Sequence, residues 1–180
     1  MIADCLRGRT EAFGELVLKY QDRLFNSVFR LVGNAEDAFD VVQDSFLIAY
    51  QSLGSFKGGS QFFTWLYRIA FNTAITLKRK HKVVLRLHTG SEGESGTDPA
   101  DPSESNRPDY VAEMVEEERK LHLALGRITA EHRAVLIMKD LDGMKYEEMA
   151  EILQVPVGTI RSRLHRARLE LREILEPPVG

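Results

Sequence analysis

The sequence lacks the residues and runs that mark several common protein classes. Its single cysteine, Cys5, excludes both an intrachain disulfide and a cysteine metal cluster. The longest apolar runs, such as AVLIM at 134–138, are far too short to cross a bilayer, so we expect no membrane insertion. The N-terminal stretch has no apolar signal-peptide core, which predicts a cytoplasmic protein.

Signals of catalysis are also missing from the sequence. The histidines are scattered, and there is no HExxH motif, phosphate-binding loop or nucleophile motif. We therefore expect a protein that is not an enzyme, with no catalytic residues, no metal site and no cofactor.

What the sequence does contain is charge in alternating blocks, hidden by a net charge of −3. Residues 34–48 carry four acids and no base, and residues 60–88 carry six bases and no acid. Ten acids stand against one base in 89–118, and five arginines against one glutamate in 159–172. An ordinary solvated helix face would explain any one block. Four alternating blocks favour separate surfaces for separate partners, including an anion.

The N-terminal part of the chain has the periodicity of helices. Apolar residues recur three to four apart after Thr10, a predicted N-cap. Asn34 and Asp37 resemble a capping box that opens a second helix. A glycine-rich loop follows at 54–61, and a third helix is predicted from about Gln61 onwards.

The composition changes between Thr89 and Asp109, where glycine, serine, proline and acids dominate. Such a segment buries too little apolar surface to offset the entropy of ordering it. We therefore predict an all-α fold of two small helical domains, 1–86 and 111–176, joined by a flexible acidic linker at 87–110.

Residues 146–171 have the pattern of a helix-turn-helix. Three side chains of the first helix are predicted to face the core: Met149, Ala150 and Leu153. Pro156 suits the opening of the second helix, because its missing N–H costs nothing there. The inner face of the second helix is continuous over Ile160, Leu164, Ala167 and Leu171. The turn position often taken by glycine is Gln154.

The outer face of this second helix is polar and basic. A glycine in its first turn lets phosphate approach backbone N–H groups, and arginine forms bidentate bonds with guanine or phosphate. These features predict major-groove DNA binding, and a basic helix that packs on RNA or an acidic partner is the alternative. The candidate contacts are Gly158, Thr159, Arg161, Ser162, Arg163, His165 and Arg166.

With these motifs together, the chain resembles the extracytoplasmic-function (ECF) sigma factors of the sigma-70 family. YQDRLFNSVFRLVGNAEDAFDVVQDSFLIAY is similar to the start of their region 2, and FFTWLYRIAFNTA to its promoter-melting helix. VPVGTIRSRLHRAR is similar to the region 4 recognition helix. The resemblance covers almost the whole chain. It implies binding to bacterial RNA polymerase core, recognition of promoter DNA, transcription initiation and restraint by an anti-sigma factor.

The resemblance also implies a polymerase-binding surface in DVVQDSF. Asp40, Gln43 and Asp44 share one helix face, for which a solvated acidic face is the default from spacing alone. In the family, this pattern contacts the clamp helices of the β′ subunit, and Leu47 would be an exposed apolar anchor; the β flap is the other expected contact. The opposite side is predicted to hold Phe39, Val42, Phe46 and Ala49.

Six aromatic residues lie within 56–72, more than a helix core needs, beside a glycine loop and a basic segment. The resemblance implies that region 4 reads the −35 element as duplex and that region 2 captures the −10 element as a melted strand. Aromatic surfaces and a positive groove suit separated strands. The candidate −10 contacts are Phe56, Lys57, Phe63, Tyr67, Arg68, Asn72, Lys78 and Arg79. Trp65 and Ile69 are predicted to belong to the core instead.

Three alternatives stay open. Asn72 could be a partly buried amide bonded to the loop at 54–60, or its donor and acceptor could read an unstacked base, which the family's RIAxN pattern favours. The linker could mimic DNA by its negative charge, although a plain spacer is simpler. The whole chain could be a DNA-binding regulator that never contacts polymerase, in which case it would bind duplex DNA alone.

Overall fold

The computed structural model describes residues 2–7, 9–89 and 116–176, and every regular element in these ranges is helical. The predicted all-α fold is confirmed. No helix of the described ranges is both long and apolar enough to cross a membrane.

The N-terminal domain is built from four described helices. They are α1 (Ile2–Leu6), α2 (Thr10–Val32), α3 (Ala35–Ser52) and α4 (Phe62–Thr89), with a 3₁₀ turn at Leu53–Ser55. α3 packs against both α2 and α4. α4 continues past the predicted domain boundary at residue 86, and the predicted linker from residue 90 onwards lies outside the described residues.

The turn between α2 and α3 follows from Gly33 and Asn34. Gly33 has a φ of 96°, which favours glycine, and its N–H donates to the Phe29 carbonyl at 2.9 Å. The Asn34 side chain accepts from the Asp37 N–H and donates to the Asp37 carboxylate, both at 2.7 Å. The predicted cap at Asn34 is confirmed. The predicted N-cap at Thr10 is wrong, because Thr10 is already the first residue of α2.

The C-terminal domain contains the predicted helix-turn-helix. Its elements are α5 (Glu116–Gly126), α6 (Ala130–Leu136), a π-helical turn (Ile137–Leu141), α7 (Tyr146–Leu153) and α8 (Val157–Leu175). Pro156 directly precedes α8, and its carbonyl accepts from the Thr159 and Ile160 N–H groups at 2.9 and 3.2 Å. The inner face of α8 is confirmed, with buried Ile160, Leu164 and Ala167 and a partly buried Leu171.

The inward face of α7 differs in part from the prediction. Met149 is fully buried as expected, whereas Ala150 and Leu153 are only half-buried. Ile152, which the sequence prediction omitted, is the second buried side chain of this helix.

Gln154 ends α7 in a left-handed conformation, with φ of 54°, and its side chain donates to the Glu151 carbonyl at 2.6 Å. We expect Gln154→Gly to stabilise the protein by about 0.5–1 kcal/mol, because glycine pays no Cβ penalty at positive φ. The midpoint of urea unfolding measures this. Glu173→Gly, at an exposed position inside α8, is the matched control and should cost about 1 kcal/mol. Destabilisation by Gln154→Gly would show that the lost amide bond outweighs the relieved strain.

The two domains pack on each other, and buried residues of both form one apolar cluster. α4 packs against α7, while α2 contacts α6 and the π-helical turn. Arg133, almost fully buried in α6, donates to the Leu31 carbonyl at 3.1 Å, near the end of α2. It also donates to the Gly126 and Ile128 carbonyls at 2.9 and 3.1 Å. Carbonyls at helix ends lack intrahelical partners and carry partial negative charge, so a guanidinium suits them.

Candidate polymerase and nucleic-acid interfaces

The acidic residues of α3 form an exposed face. Asp40, Gln43 and Asp44 are exposed, and Leu47 is 55% exposed on the same helix. An exposed leucine beside carboxylates is apolar area available to a partner. We call Asp40, Gln43, Asp44 and Leu47 the α3 face.

The opposite side of α3 is mostly as predicted. Val42, Phe46 and Ala49 are buried. The placement of Phe39 in this core is wrong, because its side chain is 47% exposed. Its ring lies at the edge of the core, 4.5 Å from the ring centre of Phe25.

A groove of about 440 Å³ lies between α3 and α4. Asp40 and Asp44 line it from α3, and Asn72 and Lys80 line it from α4. The Asn72 side chain is exposed, so the interpretation of this residue as a partly buried, loop-bonded amide is wrong. The groove brings Asn72 close to the α3 face, which its position in the sequence does not reveal.

The candidate −10 contacts differ in exposure. Lys57 and Arg79 are exposed, and Phe56, Arg68 and Lys78 are half-buried. The Phe56 ring packs on Phe62 and Trp65, with ring centres 5.8 and 5.3 Å apart. Trp65 and Ile69 pack against the core while remaining half-buried, in keeping with the predicted core role.

Phe63 and Tyr67 are buried, at 5% and 3% exposure. The Arg23 guanidinium lies 3.9 Å from the centre of the Phe63 ring. Asp142 of the C-terminal domain accepts a hydrogen bond from the Ser27 hydroxyl at 2.9 Å. Burial, and then the nearby Asp142 carboxyl, raises the pKa of Tyr67 well above its ordinary value. Burial likewise raises the pKa of Asp142.

The outer face of α8 presents the predicted DNA-contact residues to solvent. Gly158, Arg161, Ser162, His165 and Arg166 are exposed, and Thr159 and Arg163 are half-buried. No atom lies close to the position of a Cβ at Gly158, so this face is open at the start of the helix.

Two arginines of α8, one of them the predicted contact Arg163, pair with acids of the same domain. Arg163 pairs with Glu131 at 3.1 Å. Arg168 bonds both carboxylate oxygens of Asp140, at 3.0 and 2.5 Å. Of the three arginines among the predicted contacts, Arg161 and Arg166 are exposed, and Arg161 also lies over the Tyr146 ring.

Sequence reasoning missed residues that join the two domains, among them Ser27, Arg133 and Asp142. Ser27 and Asp142 are separated by 115 positions, and Arg133 reaches a carbonyl 102 positions away. Neither periodicity nor a local motif signals such pairs. The only hint is a charged residue, Arg133, at the start of the apolar run AVLIM.

Family models match both halves of the chain. Sigma-70 region 2 matches residues 16–83, and sigma-70 region 4 matches residues 118–171. The RNA polymerase sigma-H factor of Pseudomonas aeruginosa is 36% identical over 178 residues, which cover 95% of this chain and 90% of that protein. The ECF RNA polymerase sigma factor SigW of Bacillus subtilis is 32% identical over 171 residues, covering 94% and 91%.

Solved structures give the same result. The sigma factor RpoE in complex with the anti-sigma factor NepR from Bartonella quintana is similar with a TM-score of 0.75 and 27% identity. The match covers 94% of this chain and all of that one. CnrH in complex with the cytosolic domain of CnrY has a TM-score of 0.68 and 25% identity, covering 99% and 96%. With regions 2 and 4 both matched along one helical chain, the protein belongs to the sigma-70 family as an ECF sigma factor, a non-enzymatic initiation factor of transcription.

Proposed function

We propose that three surfaces of this chain carry out the three binding functions of a sigma factor. The α3 face binds RNA polymerase core, the outer face of α8 reads the −35 duplex, and α4 with its preceding loop captures the melted −10 strand. The observation that carries this proposal is the placement of two exposed surfaces of opposite charge on helices of separate domains. The acidic α3 face belongs to region 2 and the basic face of α8 to region 4.

The α3 face suits a basic protein partner. Its two carboxylates attract cations and fix register, and Leu47 adds apolar area that a partner can bury. We assign this face to the β′ clamp helices of the core enzyme. The β flap is the second proposed contact on the core.

The α8 face suits the major groove. Ser162, His165 and Arg166 are exposed on one side of a regular helix, so all three can reach base edges or phosphate from one docking position. Gly158 leaves the N-terminus of α8 open to a phosphate.

The −10 surface combines exposed polar groups with aromatic rings. Lys57, Asn72 and Arg79 are accessible to a strand as the protein stands. Phe63 and Tyr67 are buried, Phe63 under the Arg23 guanidinium and Tyr67 beside Asp142 of region 4, so stacking on them requires these neighbours to move.

We also propose a regulatory partner and a location. RpoE and CnrH were each solved with a partner, which for RpoE is the anti-sigma factor NepR. Their likeness to this chain supports an anti-sigma factor here. A sigma factor acts where RNA polymerase meets the chromosome, so we propose that the chain works in the cytoplasm.

Transcription with purified components tests the proposed function. Core enzyme with this protein should give promoter-specific transcripts, whereas core alone should not, and the protein alone should bind promoter DNA weakly. Tight duplex binding without core, together with no transcripts when core is added, would favour a regulator independent of polymerase.

A single arginine tests the −35 assignment. Arg166→Ala should weaken binding of holoenzyme to −35 duplex by about 1–3 kcal/mol if the guanidinium reads a base. If it contacts phosphate instead, the salt slope of log K should fall by about one. Arg172→Ala is the matched control, because Arg172 is exposed near the far end of α8 and pairs with Glu176 at 3.6 Å. No change in affinity, sequence preference or slope for Arg166→Ala would mean that the recognition face is wrongly drawn.

A further inference from the structure

We propose that Asp140, an exposed acid of the π-helical turn, strengthens the binding of −35 DNA by holding Arg168 in position for the phosphate backbone. Arg168 is then a phosphate contact beside the recognition face, and Asp140 is a positioning residue that touches no DNA itself. The inference rests on the proposed function of the α8 face. It adds one contact residue to that face and gives a role to an acid that bulk electrostatics would count against DNA binding.

Arg168 lies on the flank of α8 that faces the π-helical turn and the start of α7. It follows Arg161 by seven residues, which is two turns of the helix, so the two guanidiniums share this flank. Both residues are exposed. A helix that lies in the major groove has phosphates along its flanks, so side chains there contact the backbone rather than base edges.

The Asp140 carboxylate fixes the Arg168 guanidinium in one orientation. Nε donates to one carboxylate oxygen at 3.0 Å, and Nη2 donates to the other at 2.5 Å. This bidentate geometry occupies one edge of the guanidinium and leaves the end with Nη1 pointing away from the acid. The Arg168 side chain is 53% exposed, so a phosphate can reach that end.

The carboxylate itself stands on a rigid base. Asp140 belongs to a π-helical turn, a rare element that is frequent at functional sites. Ile137 and Met138 of the same turn are fully buried, and the Ile137 carbonyl accepts from the Asp142 N–H at 2.9 Å. An arginine loses rotamer entropy when it orders on a ligand, and a carboxylate on a fixed backbone meets part of that cost for Arg168 before DNA arrives.

A second arginine of this flank is also held by groups outside α8. The Arg161 guanidinium lies over the Tyr146 ring, 5.4 Å from its centre, and the Lys139 ammonium lies 4.8 Å from the same centre. Lys139 in turn donates to the Met144 carbonyl at 2.9 Å. The preceding elements thus position two guanidiniums along one side of the helix, as a surface preorganised for an extended anion requires.

Two interpretations of the Asp140 and Arg168 pair predict effects of opposite sign. If the acid only neutralises the guanidinium, its removal adds net positive charge near the DNA and should tighten binding. If the acid positions the guanidinium, its removal should weaken binding although the protein becomes more positive.

Binding of holoenzyme to −35 duplex over a range of salt concentrations tests this sign. Asp140→Ala removes both acceptors, and Kd should rise by about three- to tenfold, by the same factor for every −35 sequence. The salt slope of log K should fall by about one, as it should for Arg168→Ala, because the same phosphate contact is lost. In the Arg168→Ala background, Asp140→Ala should weaken binding no further. Asp140→Asn, which keeps the side-chain shape and one acceptor, should give a smaller change in the same direction.

Glu173→Gln is the matched control, because it also removes one negative charge from an exposed position of the same domain, further along α8. It should leave binding unchanged or slightly tighter. Unchanged or tighter binding by the Asp140→Ala variant, or an equal weakening with and without the Arg168 side chain, would overturn the proposal. Failure of the proposed function looks different, since Arg166→Ala would then leave −35 binding unchanged as well.

Discussion

Replacing Asp40 and Asp44 together by lysine is expected to abolish co-elution of the protein with RNA polymerase core. Both side chains are exposed on α3, so the fold should not depend on them. Reversal of charge at a polar interface costs several kcal/mol, and each 1.4 kcal/mol is about tenfold in Kd, so Kd should rise by roughly two orders of magnitude or more. Size-exclusion chromatography with core measures the loss, and the thermal unfolding midpoint should stay within a few degrees of the original.

The control for this experiment is a second pair of reversed charges. Glu11→Lys with Glu15→Lys changes the net charge by the same amount, and these two glutamates are also exposed and one turn apart, on α2. That variant should co-elute with core normally. Equal weakening by both pairs would show a bulk charge effect, and undiminished co-elution of the Asp40 and Asp44 variant would remove the assignment of the α3 face.

Local signals explain which parts of the structure were predictable. The cap at Asn34 depends on a residue three positions away, and the inner face of α8 depends on a repeating period. Both features can therefore be predicted from the sequence. The exposure of the α3 face could be predicted in the same way, because its polar residues follow the helical period. The errors at Thr10 and Phe39 lie at the start of a helix and at the edge of a core, where a shift of one residue or a small rotation changes the outcome.

The burial of Phe63 and Tyr67 could not be predicted in this way. A helical period shows that a side of α4 is apolar, but not whether that side meets its own domain, a second domain or DNA. The residues that cover it, such as Asp142, lie beyond the predicted linker, and the linker's composition places no constraint on how the domains meet. The excess of aromatic residues in 56–72 is explained in the structure by packing of the rings, while the strand contact is the proposed second role of the same residues.

Asn72 offers the sharpest test of the −10 assignment. The structure predicts that its replacement leaves stability unchanged, whereas the proposed function predicts a defect in open-complex formation. The side chain is exposed in the groove between α3 and α4, and no hydrogen bond from its amide to another described residue is present. Asn72→Ala should therefore change the free energy of unfolding by no more than about 0.5 kcal/mol. Core binding and −35 duplex binding should also remain.

What Asn72→Ala should impair is open-complex formation, by about 1–3 kcal/mol if the amide reads one base edge of the melted strand. Permanganate footprinting of the bubble on a normal and a pre-melted template measures this defect. Pre-melting should rescue it in part, since the cost of unpairing the base is then already met, and changing one −10 base should alter its size. Thr76→Ala is the matched control, as Thr76 lines the same groove one turn further along α4 and bonds only the backbone of Asn72, at 2.9 Å. A defect of equal size for every −10 sequence, or one shared by Thr76→Ala, would mean that the groove acts through the core enzyme and that Asn72 reads no base.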